Sequence, residues 1–236
     1  MITFEVCVDS IHGVLAAHRA QATRVELCAN LEMGGVTPSP GLIVRACAVG
    51  IPVHVLVRPR AGNFVYSSVE TDVMLQDIAA IKQSGASGVV LGALNENGDL
   101  ELGIMRELVQ AARPLSVTFH RAFDVCQTAH DTLEQLIDLS VDRLLTSGQH
   151  VTALEGARVI RALVQQSAGR IQIMAGSGIR AHNVQQVLRE TGVQEVHFTA
   201  QEPRPTNSPQ TFFGFGRHVE TSQLMIEALM AKALEG

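Results

Sequence analysis

The chain has 236 residues, of which 46% are hydrophobic, 17% charged and 4% aromatic, and its formal net charge is −5 at pH 7. So much apolar content with so little charge excludes a disordered chain, and no apolar run approaches the roughly 20 residues of a bilayer span. No basic cluster invites nucleic acid. The four cysteines, Cys7, Cys28, Cys47 and Cys126, share no CxxC spacing, which argues against a disulfide framework or a zinc ribbon. Met1 to Asp9 lacks the basic start and cleavage site of a secretory signal. A cytoplasmic globular protein with no nucleic-acid or membrane partner is expected.

Short apolar runs alternate with segments of 3.6-residue period along the whole chain. Ile2 to Val8 reads as a strand, with Asp9-Ser10 capping a helix to about Ala20. Further strands are expected at Arg24–Cys28, Pro52–Val57, Gly88–Leu94, Leu115–His120, Arg143–Thr146, Ile171–Ala175 and Glu195–Thr199. Helices are expected at Leu42–Ala48, Val69–Ser84, Glu101–Ala112, Thr128–Leu139, Thr152–Gln166 and Ala181–Arg189, and a last one over 222–235. Eight strand–helix units predict an α/β fold, a single (β/α)₈ barrel of the TIM type spanning 1–236. The rival doubly wound sheet would need a glycine-rich first turn, and Val8-Asp9-Ser10 supplies none.

Two loops are long: Asn30 to Ser39, and 201–218. Both follow strands, at the carboxyl face where such barrels keep their sites. The second carries Phe212-Phe213-Gly214-Phe215, suited to a lid or an oligomer contact.

Alternation puts residues i and i+2 of a strand on one face. It groups Glu5 with Cys7, Glu26 with Cys28, His54 with Leu56 and Arg58, Ser116 with Thr118 and His120, and His197 with Thr199. The opposite faces are apolar and must meet helices, so the polar sets are expected inside. A barrel interior without a site fills with Val, Ile and Leu. Unpaired buried charge is costly, so the polar set reads either as an internal network, such as Glu5 or Glu26 with Arg58, or as a site.

Arg58 and Arg60 leave the third strand, and Arg121 leaves the fifth. Arginine forks suit carboxylates and phosphates. Gly176, Ser177 and Gly178, between the seventh strand and a helix, together with Ser147 and His197, extend a candidate anion-binding set. His120 with Asp124, or Glu5 or Glu26 with a raised pKa in an apolar wall, could do acid–base chemistry; spacing does not choose among them. Cys7 and Cys28 end adjacent strands. Thiolates there are candidate copper(I) ligands, or small core fillers.

Taken together, Glu5-Val-Cys-Val-Asp-Ser10, Arg24-Val-Glu-Leu-Cys28, Gly34-Gly-Val-Thr-Pro-Ser39 and Val57-Arg-Pro-Arg60 resemble the signatures of the CutC family. Val117-Thr-Phe-His-Arg-Ala-Phe-Asp124, Leu145-Thr-Ser-Gly148 and Ile173-Met-Ala-Gly-Ser-Gly178 extend the resemblance over roughly residues 2 to 200. It implies a TIM-type barrel, a cytoplasmic protein named for copper homeostasis, copper(I) bound at Cys7 and Cys28, and a homo-oligomer, dimer or tetramer. Asn63 stands where the family usually has aspartate, and Ser177 where it often has glycine. Two functions are therefore carried forward: copper binding, with copper(I) as the metal and no organic cofactor, and an enzyme acting on a small anionic or phosphorylated metabolite.

Overall fold

Strands such as those at Thr3–Val8, Arg24–Leu27, Val53–Leu56 and Ser116–Phe119 are apolar on the face that Val6, Val25, Val55 or Val117 occupies and carry polar side chains on the other. Both faces can be buried only if the sheet closes on itself inside a jacket of helices. The computed structural model, which describes residues 2–203 and 219–235, has this arrangement. Eight parallel strands, β1 (Thr3–Val8), β2 (Arg24–Leu27), β3 (Val53–Leu56), β4 (Gly88–Leu91), β5 (Ser116–Phe119), β6 (Arg143–Thr146), β7 (Gln172–Gly176) and β8 (Glu195–Phe198), form a closed barrel in chain order, with β8 pairing back onto β1. Helices α1 (Ile11–Arg19), α2 (Pro40–Cys47), α3 (Ser68–Gln83), α4 (Leu102–Ala112), α5 (Ala129–Asp138), α6 (Ala157–Ser167) and α7 (Val184–Thr191) follow the first seven strands, and α8 (Gln223–Leu234) closes the circuit. No helix among the described residues is long and apolar enough to cross a membrane.

The main core lies between strands and helices. Val6, Val8, Val25, Leu27, Val53 and Val55 point outward into it and meet Val14, Ile43, Met74 and Ile78 from the helices. Local chemistry sets the helix starts. Ser10 accepts from the Gly13 N–H, Ser39 precedes Pro40 in the first helical turn, and Ser67 and Glu70 form a reciprocal capping box, each satisfying amides that a helix start leaves open.

The expected boundaries shift where turn chemistry intervenes. The helix expected from Thr152 begins at Ala157, because Thr152 and Glu155 close a separate turn with each other. There Gly156 packs backbone to backbone against Ser147 and Gly148, a fit that leaves no room for a Cβ. The helix expected from Ala181 begins at Val184, after Asn183 has accepted the Arg180 N–H. Strand β4 stops at Leu91, not Leu94. The loop expected over 201–218 opens as a strand: β9 (Gln201–Pro203) pairs antiparallel with β10 (Val219–Thr221), a ribbon with no sequence signal. The last helix, expected over 222–235, runs from Gln223 to Leu234. The Phe212-Phe213-Gly214-Phe215 cluster and its expected lid or oligomer contact lie outside the described residues.

Candidate functional site

Register decides which inward side chains meet. Glu5 pairs in register with Arg24, and Cys7 with Glu26, so the carboxylate of β1 sits one level below that of β2. At the lower level Arg24 bonds to Glu5 and, at 2.5 Å, to Glu195, which also takes the Arg143 Nε at 2.5 Å. His197 Nδ1 lies 2.7 Å from the second Glu5 oxygen. Burial alone would raise the Glu5 carboxyl, but the His197 hydrogen bond and the Arg24 charge hold it well below the usual carboxylate range. The expectation of a raised Glu5 is therefore overturned. So is the pairing of Glu5 or Glu26 with Arg58, because the partner of Glu5 is Arg24. Arg24, Arg143 and Glu195 were missed as members of this network, although Arg24 has the same strand parity as Glu26 and Glu195 the same as His197.

Above this level a cavity of about 480 Å³ opens at the carboxyl ends of the strands. Cys7, Glu26, His120, Asp124, His197 and Thr199 line it, with Arg58, Arg121, Arg180, Ser177 and Gly178 from the loops. Glu26 is buried, and burial raises its carboxyl, helped by the Glu5 charge and opposed mainly by His197. The Cys7 thiol donates to Glu26 Oε1 at 3.5 Å, while Oε2 has no hydrogen-bond partner among the described residues. His197 is 4.0 Å from that oxygen. Burial works against the His197 imidazolium, but Glu26 and Glu5 prevail and raise its pKa.

His120 is another buried group with an unused atom. Its Nδ1 accepts the Ala122 N–H at 3.2 Å, which leaves the proton of the neutral ring on Nε2, and Nε2 has no partner among the described residues. Burial and the nearby Arg58 charge lower its pKa to about 3. The ring is fixed on both sides. Phe64 stands 4.8 Å away between centroids, and a Cβ on Gly92 would collide with the imidazole at 2.7 Å. Gly88 is cleared in the same way for His54, whose pKa burial lowers to about 4. The expected His120–Asp124 pair is not formed. Asp124 instead accepts from Thr146, from the Ser147 backbone and hydroxyl, from the Gln149 N–H, and from Arg121 at 2.7 Å. It ties the fifth and sixth loops together.

The arginines divide. Arg58 gives Nη1 to the Gly35 carbonyl at 2.8 Å and Nη2 to the Gly62 carbonyl at 2.7 Å, so its fork mostly stitches loops, and its Nε has no partner among the described residues. Arg60 turns away from the cavity to Glu70, to the Val65 carbonyl and to the Tyr66 ring. Arg121 reaches Ser147 Oγ at 3.0 Å and stays at the rim. Arg180, which sequence reasoning passed over, lines the cavity after bonding the Ile179 carbonyl at 2.9 Å; its place just after Gly178 was the available signal. Ser147 is spent on Asp124, Arg121 and the His150 carbonyl and does not line the cavity. Gly176 lies beneath it, against Leu145.

The profile of the CutC family matches residues 2–202. The chain belongs to the CutC family. It is 43% identical over 241 residues to a family protein CutC of Bacteroides thetaiotaomicron, covering 97% of each chain, and 48% identical over 201 residues to one of Bacteroides fragilis, covering 84% of this chain and 80% of the relative. A crystal structure of CutC from Streptococcus agalactiae, named there for copper homeostasis, superposes with a TM-score of 0.81 at 36% identity, over 84% of this chain and 98% of that one.

The CutC resemblance implied copper(I) at Cys7 and Cys28. The two thiols adjoin, and the hydrogen bond between them, burial and the Glu26 charge all push Cys7 well above the usual thiol range. Cys28 donates to the Val8 carbonyl at 3.6 Å and packs with Cys7, Leu56 and Val90 in a small apolar cluster, of which Cys7 and Leu56 line the cavity and Cys28 does not. A copper(I) ligand must be a thiolate, and the surroundings of Cys7 oppose its deprotonation in the metal-free chain. The donor atoms that converge within 4.8 Å are instead those of Cys7, Glu26 and His197, a mixed set whose carboxylate suits harder ions.

Proposed function

We propose that this CutC-family barrel is an enzyme that takes a small anionic metabolite into the cavity at the carboxyl ends of its strands. One observation carries the reading: buried polar groups with unused hydrogen-bonding atoms, Glu26 and His120, line the same cavity of about 480 Å³ as the guanidinium groups of Arg121 and Arg180. Protein interiors rarely leave buried polar atoms without partners, and perturbed groups gathered in a cleft mark functional sites. Arg121 and Arg180 are assigned to the anionic group of the ligand.

A thermal-shift screen across phosphorylated and carboxylated metabolites tests it. A ligand at a hundred times its Kd adds about 2.7 kcal/mol of stability, and that gain should be lost when Arg121→Ala and Arg180→Ala are combined. A screen in which no anion stabilises the protein would defeat the reading. Copper(I) handling is the rival, favoured by the adjacency of the Cys7 and Cys28 thiols. Its test is an anaerobic copper(I) titration against a competing chelator. Stoichiometric binding that disappears with Cys7→Ser and Cys28→Ser would establish the rival, and binding indifferent to them would end it.

A further inference from the structure

The unpartnered atoms of Glu26 and His120 differ in kind, and the difference points to a reaction. Glu26 Oε2 can only accept a proton or a hydrogen bond while the carboxylate is ionised, whereas His120 Nε2 can only donate while the ring is neutral. Each is held in that role by its other atom, Oε1 by the Cys7 thiol and Nδ1 by the Ala122 amide. Removing a proton from carbon beside a carbonyl needs this combination: a base for the C–H, and a neutral donor for the oxygen that becomes an enolate.

Resting on the enzyme reading above, we infer that Glu26 is the base and His120 the oxygen-binding donor of a proton transfer at the carbon next to a carbonyl in an anionic hydroxy-ketone or oxo-acid substrate. Glu26 Oε2 takes the proton from that carbon. The C–H electron pair becomes the new C=C bond, and the carbonyl π pair moves onto oxygen, where the His120 Nε2–H meets it. The proton on Glu26 exchanges with water, and a solvent proton returns to the same carbon, which restores the substrate with exchange. In a hydroxy-ketone it is delivered instead to the former carbonyl carbon, while the hydroxyl proton on the first carbon passes through water to the former carbonyl oxygen, giving an isomer. No oxidant, reductant or metal enters the balance.

Several features of the site suit these roles. Glu26 Oε2 and His120 Nε2 belong to residues that line the one cavity, and burial keeps the His120 ring neutral. A neutral imidazole stabilises an enolate by hydrogen bonding without first having to lose a charge. The rigid seat of His120 between Phe64 and Gly92 fixes the donor before substrate arrives, as electrostatic stabilisation of a transition state requires. Cys7 and His197 are positioning residues, the first holding Oε1 and the second standing 4.0 Å from Oε2.

The experiment incubates the full chain in D₂O with dihydroxyacetone phosphate, ribulose 5-phosphate, pyruvate or 2-oxoglutarate, each at millimolar concentration. Proton NMR follows loss of the C–H signal next to the carbonyl, and thermal shift follows binding in parallel. A probe that stabilises the wild type should also exchange. Its exchange should fall by about a hundredfold or more in Glu26→Gln and in His120→Asn, the usual worth of a positioned acid or base, while the thermal shift remains as proof that both variants fold and bind. His120→Asn keeps an acceptor for Ala122 and deletes only the Nε2 donor. Binding without exchange, or exchange undiminished in Glu26→Gln, overturns the inference and leaves the enzyme reading standing. No binding by any of the four probes overturns the substrate class, and the wider anion screen then judges the enzyme reading by itself.

Discussion

Below the cavity Glu5, Arg24, Arg143 and Glu195 answer one another's charges within 2.5 Å or so. One level higher, Glu26 on β2 keeps an oxygen, and His120 just past β5 a nitrogen, that no described protein group reaches. Both levels break the rule that a barrel interior is filled by branched aliphatic side chains, and both bury ionisable groups. The lower one is a closed account of charge, so its removal should cost stability and nothing else. The upper one is left open on the side of the cavity, which makes its cost a standing feature of the fold and its use a matter of what enters.

The sharpest way to break the contrast is Arg24→Met, which strands the Glu5 and Glu195 carboxylates together. Leaving buried charge uncompensated costs about 3–5 kcal/mol, so urea melts at pH 7 should show a loss of that size. A loss under about 1 kcal/mol would mean the lower level is better hydrated than it looks.

Acid pH should single out His120 next. An unfolded histidine titrates near 6.5, whereas folded His54 and His120 are lowered to about 4 and about 3. Their contribution is whole above pH 6.5 and is lost as pH falls from there toward the folded values, with each histidine adding up to about 1.4 kcal/mol per pH unit to the slope. His120→Asn should remove one such share from the acid limb measured by denaturant melts. His197, raised rather than lowered, contributes in the opposite sense, below pH 6.5, and should be unaffected.

Glu26→Gln gives a smaller effect of reversed sign. It discards a carboxylate that burial disfavours, so at pH 7 the protein should hold its stability or gain about 1 kcal/mol, the stability–function trade expected where a strained group serves activity. A clear loss would place Glu26 with the lower network. The control is Glu134→Gln on the surface, where Arg170 and Glu134 pair at 2.8 Å with both side chains more than 40% exposed. Its melting temperature should not move measurably.

How far the sequence discloses this follows from which physics it encodes. Period-two alternation depends on local geometry, and it placed Glu5, Glu26, His120 and His197 inside the barrel. Register depends on how one strand slides past the next, and no residue announces it. Arg58 was therefore paired on paper with a glutamate, when the level-mate of Glu5 is Arg24. The early start expected for α6 has a similar source, since Thr152 and Glu155 look like a helix cap and do form one turn. That turn, followed by the backbone contact of Gly156 with Ser147 and Gly148, postpones the helix. The fork of Arg58 could not be read as loop stitching, because its partners are carbonyls, which every residue carries.

Strand β4, Gly-Val-Val-Leu, holds no ionisable group at all, yet its glycine and the one that follows it set the poses of two imidazoles. It works as a mould for parts supplied by its neighbours. A single methyl at Gly92 would therefore re-aim His120 while leaving every charge and every proton count in the barrel unaltered. Few sites offer so direct a handle on direction alone, and here it sits on the blankest strand of the eight.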